Sequence, residues 1–298
     1  MVSVLIAGAS GTIGTALQAV LRENGHHVHT LVRRKPHGPT EHQWSPDNHR
    51  IDSGIINHVD AVVNLSGASI SRMPWSARHK ELILSSRVNA TKTLAQAIKK
   101  SPTPPQVLLQ GSAVGFYGDR GEESLDETSK RGSGYLSDVV VAWEKAATPA
   151  ALKKTRVIYA RTGLVVGHAG AMAPLRLQTL VGLGGKVGPG TQWWPWISFH
   201  DEVRALVHLI THNTAEGVFN LVGPTPATAS KLTHELAQAM KRPHLIGLPS
   251  FAIRALLGEA GVALLLTSQH IAPSRLHESG FSFSEPTVHD AIARMLRD

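Results

Sequence analysis

The first fourteen residues, MVSVLIAGASGTIG, limit the fold more than any other stretch of the chain. An apolar run (Val2, then Val4 to Ile6) leads directly into glycines at positions 8, 11 and 14, and an amphipathic run from Leu17 to Leu21 follows. That order predicts strand, tight turn and helix. Glycine suits such a turn for three reasons: the chain bends sharply, the backbone must approach a pyrophosphate, and helix must sit close on strand. The helix start then offers free N–H groups and the positive end of its dipole to phosphates. Gly8, Ser10, Gly11, Thr12, Ile13 and Gly14 are therefore expected to cradle a dinucleotide. The same glycines could serve an ordinary βα turn, but here a strand precedes them, a helix follows, and a second strand comes at the right distance.

Further candidate strands lie at His27–Val32, Ala61–Leu65, Gln106–Gln110 and Arg156–Ala160. Helical patterns near Ile13–Glu23, Trp75–Lys100 and Leu136–Ala147 separate them. Such alternation predicts an α/β fold, a doubly wound parallel sheet of the Rossmann type with right-handed crossovers. After residue 165 the pattern changes. A glycine-rich loop (GLGGKVGPG, 182–190) precedes Trp193, Trp194 and Trp196. Asp201 then stands before a helix with Val203, Leu206, Val207 and Ile210 on one face, and is read most simply as its N-cap. Val218–Val222 suggests another strand. The expected division is a cofactor domain over 1–223, with a substrate-side loop at about 168–195, and a smaller, mostly helical lobe over 224–298.

The chain has 298 residues, 42% hydrophobic and 17% charged, as a globular protein with a sizeable core requires. It contains no cysteine, so disulfides and cysteine–zinc sites are excluded. No signal peptide or membrane span is legible, and a cytoplasmic location is expected. The net charge of +8 raises nucleic acid as a partner. The basic residues are scattered, as at Arg33–Lys35 and Lys153–Lys154, without interleaved aromatics, so a basic surface and a pocket for an anionic cofactor is the favoured reading. The expected partner is a small-molecule substrate, with no nucleic acid and no membrane, and the protein a monomer or homodimer.

Arg33 and Arg34 end the second strand. An acidic residue there would bond a ribose 2′-hydroxyl, whereas a guanidinium fork pairs with a 2′-phosphate, so NADP(H) is favoured over NAD(H). Leu65, Ser66, Gly67 and Ala68 end the next strand with mostly small residues, which lets backbone pass close to the adenine side. Gly111 and Ser112 end another, and the Ser112 hydroxyl is expected beside the nicotinamide, bonding a substrate carbonyl or hydroxyl. Gln110 stands where a hydrolase elbow would need glycine. His208 and His212 have metal-ligand spacing but lie off the apolar face, and no metal site is expected.

These segments resemble the short-chain dehydrogenase/reductase superfamily, in its extended and atypical branch. GASGTIG resembles the superfamily's glycine fingerprint, GSAVGFYG (111–118) its catalytic-serine segment, and RTGLVVG (161–167) the stretch that lines the nicotinamide. The resemblance thus implies cofactor contacts at Arg161, Gly163 and Leu164. A narrower resemblance covers nearly the whole chain: an epimerase-like family with a C-terminal domain of unknown function, sometimes labelled nucleoside-diphosphate-sugar epimerase or cell-division inhibitor. SSRVNATKTL (85–94), GLGGKVGPGTQ (182–192), WISFHDEV (196–203), GVFNLVGPTPAT (217–228) and IAPSRLHESGFSF (271–283) carry it. It implies NADP(H) and leaves the substrate open.

One departure bears on the chemistry. The superfamily pairs a tyrosine with a lysine four residues on, whereas Tyr117, Tyr135 and Tyr159 are followed there by Gly121, Val139 and Gly163. Tyr135 matches the expected helix start. Lys145, nearly three helical turns on, cannot replace the lysine. Without a neighbouring ammonium the phenol stays protonated, able to donate a proton to a carbonyl but a poor base toward an alcohol. Asp138 is a substitute acid or base, or a solvated helix residue. The reading is an NADP(H)-binding oxidoreductase acting on a small carbonyl or sugar-like substrate, with Ser112 and Tyr135 catalytic. The alternatives are an NADP(H)-sensing protein with little turnover, and a nucleotide-sugar epimerase or dehydratase. Trp75, Arg78 and Trp194 are candidates for the substrate side.

Overall fold

The computed structural model describes residues 1–152 and 154–298; Lys153, one of the scattered basic residues, lies outside the described residues. In chain order the first half runs β1 (Ser3–Ala7), α1 (Thr12–Glu23), β2 (His27–Val32), β3 (Glu41–Ser45), β4 (Arg50–Ile51), α2 (Ser53–Ile56), β5 (Ala61–Asn64), α3 (Ala77–Lys100) and β6 (Val107–Ala113). There follow β7 (Ser124–Leu125), α4 (Tyr135–Ala151), β8 (Arg156–Thr162), β9 (Leu164–Val166), α5 (Met172–Leu180), β10 (Trp193–Trp194), β11 (Trp196–Ser198), α6 (Phe199–Thr211) and β12 (Gly217–Leu221). The rest comprises β13 (Ala227–Thr228), α7 (Ala229–Ala239), α8 (Ser250–Gly261), β14 (His270–Ile271), α9 (Ser274–Glu278) and α10 (Val288–Arg297).

Eight strands form the main sheet in the order β12-β8-β6-β5-β1-β2-β3-β4, parallel except for the β3–β4 pair. The expected doubly wound sheet is thus present. The central strands carry apolar residues on both faces because helices cover both. On one face Val4, Ile6, Val63 and Leu109 pack with Leu17 and Leu21 of α1 and Leu206 and Leu209 of α6. On the other, Leu5, Val62 and Leu108 pack with Leu94 and Ile98 of α3 and Ala147 of α4. β3 and β4 escape sequence reading because EHQWS has a single apolar anchor, Trp44, which is buried.

A separate core draws on both sides of residue 223. Val166, Met172, Val187, Trp194 and Trp196 pack with Leu232, Leu236, Ile253, Ile292 and Met295. The C-terminal part therefore closes with α7, α8 and α10 over the chain that leaves β9, while α9 packs through Leu276 against β12 at the edge of the sheet.

The N-cap of α6 is Ser198, whose Oγ accepts from the Asp201 backbone N–H at 2.9 Å. This corrects the reading of Asp201. It sits in the first turn of the helix, fully buried, where its carboxylate accepts from the backbone N–H groups of Ser284 and Glu285 at 2.9–3.0 Å and pairs with Arg204 at 2.5 Å. No helix among the described residues is long and apolar enough to cross a membrane.

Candidate functional site

The carboxyl ends of β1, β2, β5, β6 and β8 meet along one rim of the sheet, the edge at which open α/β sheets take ligands. At the rim's centre the glycine turn is shaped by backbone contacts. Gly8 has φ +82°, and a Cβ there would lie 2.6 Å from the Leu65 carbonyl carbon. A Cβ on Gly14 would lie 2.3 Å from the Gly8 carbonyl oxygen. Both positions therefore demand glycine. Gly11 is the N-cap of α1, and without a side chain it leaves the first N–H groups of the helix uncapped. Ser10, Gly11 and Thr12 surround that opening, while Ile13, in the first turn of α1, packs half-buried against the core. The cradle fits a pyrophosphate in shape and in polarity.

Arg33 and Arg34 are both exposed at the end of β2. They differ in what holds them. Arg34 forms a two-pronged pair with Glu41 of β3, at 2.6 and 2.7 Å. The hydrogen bonds from Arg34 and then from the His37 backbone hold the Glu41 carboxyl down to about 2. Arg33 has no hydrogen-bond or ion-pair partner among the described residues and is free to meet an anion.

Leu65 to Ala68 are laced to α3. Asn64, fully buried, donates to Thr91 and Gln110 at 3.0 Å and accepts from the Ser66 N–H. Ser86 accepts from the Ala68 N–H at 2.9 Å, and Arg87 donates to the Ala68 carbonyl at 3.0 Å. Gly67 is small because the Arg87 guanidinium lies 3.0 Å from where a Cβ would stand. Arg87 has no carboxylate partner among the described residues and lies over the Trp143 ring, and burial lowers its pKa to about 10. Sequence reasoning missed it. The signal was an arginine between the buried Ile83 and Ala90 of α3, and nothing local distinguishes it from a surface charge.

Toward β6 and β8 the side chains bind one another. Ser112 is 5% exposed and donates to Glu144 of α4 at 2.6 Å. Glu144 also takes both prongs of Arg161, at 2.8 and 2.9 Å. Arg161 donates on to the Tyr117 hydroxyl, which donates to Asn220 at 2.7 Å, and the guanidinium lies 3.4 Å from the Phe116 ring centroid. The Arg161 side chain is therefore engaged inside the protein, on the α4 face of the sheet. Gly111 and Gly163 are required by neighbouring backbone: added Cβ atoms would lie 2.9 Å from the Asn64 carbonyl and 2.1 Å from the Pro195 carbonyl. Leu164 opens β9 and packs against the second core.

Tyr135 starts α4, and its hydroxyl donates to the Lys80 carbonyl at 2.5 Å. The Lys80 ammonium lies 4.4 Å from the ring centroid while paired with Glu259 at 2.8 Å, and Trp75 packs edge-on against the ring at 5.5 Å. Burial raises the Tyr135 pKa, opposed in part by Arg87. Val139 is buried, Lys145 exposed, and Asp138 is exposed and paired with Arg131. Of the substrate-side candidates only Trp75 touches Tyr135. Arg78 is exposed, and Trp194 is a core residue that donates to the Leu265 carbonyl.

His200, Asp201 and Glu285 have ligand atoms within 4.8 Å of one another. Their oxygens already accept from Arg204, Arg294, Ser198 and two backbone N–H groups, so the cluster is built as a clasp between α6 and the approach to α10.

The pattern that defines the NAD dependent epimerase/dehydratase family matches residues 4–223, which span this whole rim. The chain belongs to that family. A domain of unknown function, DUF1731, matches residues 248–295. Relatives cover nearly all of it: an epimerase family protein of Mycobacterium leprae is 40% identical over 97% of this chain and 94% of the relative. Among solved structures, human epimerase family protein SDR39U1 with NADPH superposes at a TM-score of 0.91, with 32% identity and 99% of each chain covered. The nucleoside-diphosphate sugar epimerase from Corynebacterium glutamicum superposes at 0.82 with 32% identity, covering 99% of this chain and 58% of that one.

Proposed function

We propose that this protein binds NADP(H) and reduces a small carbonyl or sugar-like substrate. One observation carries the reading: the uncapped start of α1 behind the Gly8–Gly14 turn, with the unpartnered Arg33 and the braced Arg34 at the end of β2. The family's structure solved with NADPH supports it. The first N–H groups of α1 would hold the pyrophosphate, Arg33 and Arg34 the 2′-phosphate, and Leu65 to Ala68 the adenosine wall. Gly111, Arg161, Gly163 and Leu164 would shape the nicotinamide end, Arg161 by bracing the rim through Glu144. When bound, the nicotinamide supplies the hydride.

Tyr135 would supply the proton. Its raised pKa keeps it a phenol at neutral pH, which suits donation to a carbonyl and disfavours the oxidation that opens epimerase chemistry. Ser112 would orient the substrate from a hydroxyl fixed by Glu144. A second reading has its own support. The Tyr135 and Ser112 protons are both engaged by internal acceptors, as a cofactor-sensing protein with little turnover would allow.

The test is NADPH and NADH affinity by fluorescence, followed by NADPH consumption against a carbonyl panel. We expect tight NADPH binding, weaker NADH binding, and a turnover that Tyr135→Phe lowers by at least about 100-fold. Tight binding without turnover across the panel selects the sensing reading, and absence of binding to both coenzymes overturns both.

A further inference from the structure

Glu202 stands beside the clasp residue Asp201 but points the other way. It is 1% exposed, in the first turn of α6, and its Oε1 accepts from Thr162 Oγ1 at 2.8 Å. Its Oε2 is buried without a hydrogen-bond partner among the described residues. One hydroxyl is a weak offset for burying a carboxylate. The charged groups on the surrounding elements are directed elsewhere. On α6, Asp201 and Arg204 pair with each other at residues 282–285, and His200 pairs with Glu285. On β8, Arg161 and Tyr159 lie on the opposite face of the sheet, and Arg156 bonds the Ala215 carbonyl at the far end. The Arg22 and Glu23 of α1 are at that helix's other end, and β6, β9, β11 and β12 carry no ionisable side chain. Burial therefore decides, and the carboxyl pKa rises to about 8.

Thr162 is the last residue of β8, on the ligand rim. With the adenosine end of the cofactor at β2 and the pyrophosphate at α1, the strand order sends the nicotinamide half the other way, over β5 and β6 toward β8. The oxidised ring carries a positive charge and the reduced ring does not. We infer that Glu202, seated behind Thr162, sets the preference between the oxidised and reduced cofactor, favouring the oxidised form as a carboxylate and neither form as a neutral acid. The inference rests on the NADP(H) reading. By reciprocity, binding the oxidised form also expels the Glu202 proton.

The test is the ratio of NADP+ to NADPH dissociation constants from about pH 6.5 to about pH 9.5, which brackets the Glu202 titration. Titration of the shared 2′-phosphate and of its arginines cancels in that ratio. In the wild type we expect NADP+ to gain about tenfold on NADPH across the range. Glu202→Gln keeps an acceptor for Thr162 and flattens the ratio. Thr162→Val removes the one hydrogen bond to the carboxylate and moves the midpoint upward. Calorimetry near neutral pH, in buffers of different ionisation heat, should record proton release with NADP+, none with NADPH, and none with either in Glu202→Gln. A flat wild-type ratio, or an unchanged slope in Glu202→Gln, overturns the inference while leaving NADP(H) binding intact. Failure of both coenzymes to bind overturns the underlying reading as well. If Glu202→Gln does not fold, the wild-type ratio and the Thr162→Val midpoint decide.

Discussion

The two ends of the ligand rim are built on opposite plans. At β1 and β2 the protein leaves polar groups unsatisfied: an uncapped helix start and an exposed Arg33 without a partner among the described residues. At β6, β8 and α4 it satisfies most of them internally, through Ser112–Glu144–Arg161–Tyr117–Asn220 and through Tyr135 on the Lys80 carbonyl, and among the described residues leaves the Glu202 Oε2 and the Trp143 Nε1 without a partner. Open donors are what a tightly held anion needs, whereas a buried, saturated network holds a shape. The contrast teaches that the end proposed to hold the coenzyme and the end proposed for chemistry are built independently. The first end carries the glycine fingerprint, and the second has the buried Val139 four residues after Tyr135, with Arg87, Lys80 and Glu144 as its charged groups.

The strongest way to break the contrast is Glu144→Ala. It strands the Arg161 guanidinium, whose side chain is 4% exposed, and should cost about 3–5 kcal/mol in urea unfolding. Equal stability of the variant would mean the network is decorative. Gly14→Ala attacks the other end. The added methyl must displace the Gly8 carbonyl, and NADPH affinity should fall by at least about 100-fold, roughly 3 kcal/mol. Fluorescence titration reads it, and a retained affinity would remove the turn from the binding site.

A pH profile separates the two ends further. The folded Glu202 carboxyl, raised from 4.5 to about 8, keeps a proton that the unfolded chain releases. Stability is therefore full below about pH 4.5 and is lost as pH rises toward about 8. We expect the wild type to lose stability from this group across that window, and Glu202→Gln to lack that part of the slope. Thermal melts at matched ionic strength measure the difference. The smallest expected effect is Arg33→Ala, about a tenfold loss in NADPH affinity with NADH unchanged and no change in melting temperature. A parallel loss for both coenzymes would place Arg33 away from the 2′-phosphate.

Where local pattern determines structure, the sequence was a good guide. The glycine spacing located the β1–α1 turn, and the apolar runs located six of the parallel strands and the helices that cover them. Short polar strands such as Glu41–Ser45 were invisible because pairing, not hydrophobicity, makes them strands. The candidate site divided in the same way. Its backbone elements could be read, but Glu144, Arg87 and Glu202 could not, since each derives its meaning from partners far along the chain: Ser112 lies 32 residues from Glu144, and Thr162 lies 40 from Glu202. Asp201 was misread for the same reason. An acidic residue at a helix start looks like a cap when the N–H groups it truly serves are 83 and 84 residues away.

That distance has a consequence during synthesis. Until residues 284 and 285 have left the ribosome, the Asp201 carboxylate has Arg204 but neither of those N–H donors, and the core around α6 cannot seal over it. We expect α6, although it packs on α1 and the sheet, to dock fully only when this late segment arrives. A chain truncated before residue 284 should remain sensitive to protease around α6, where the full chain resists.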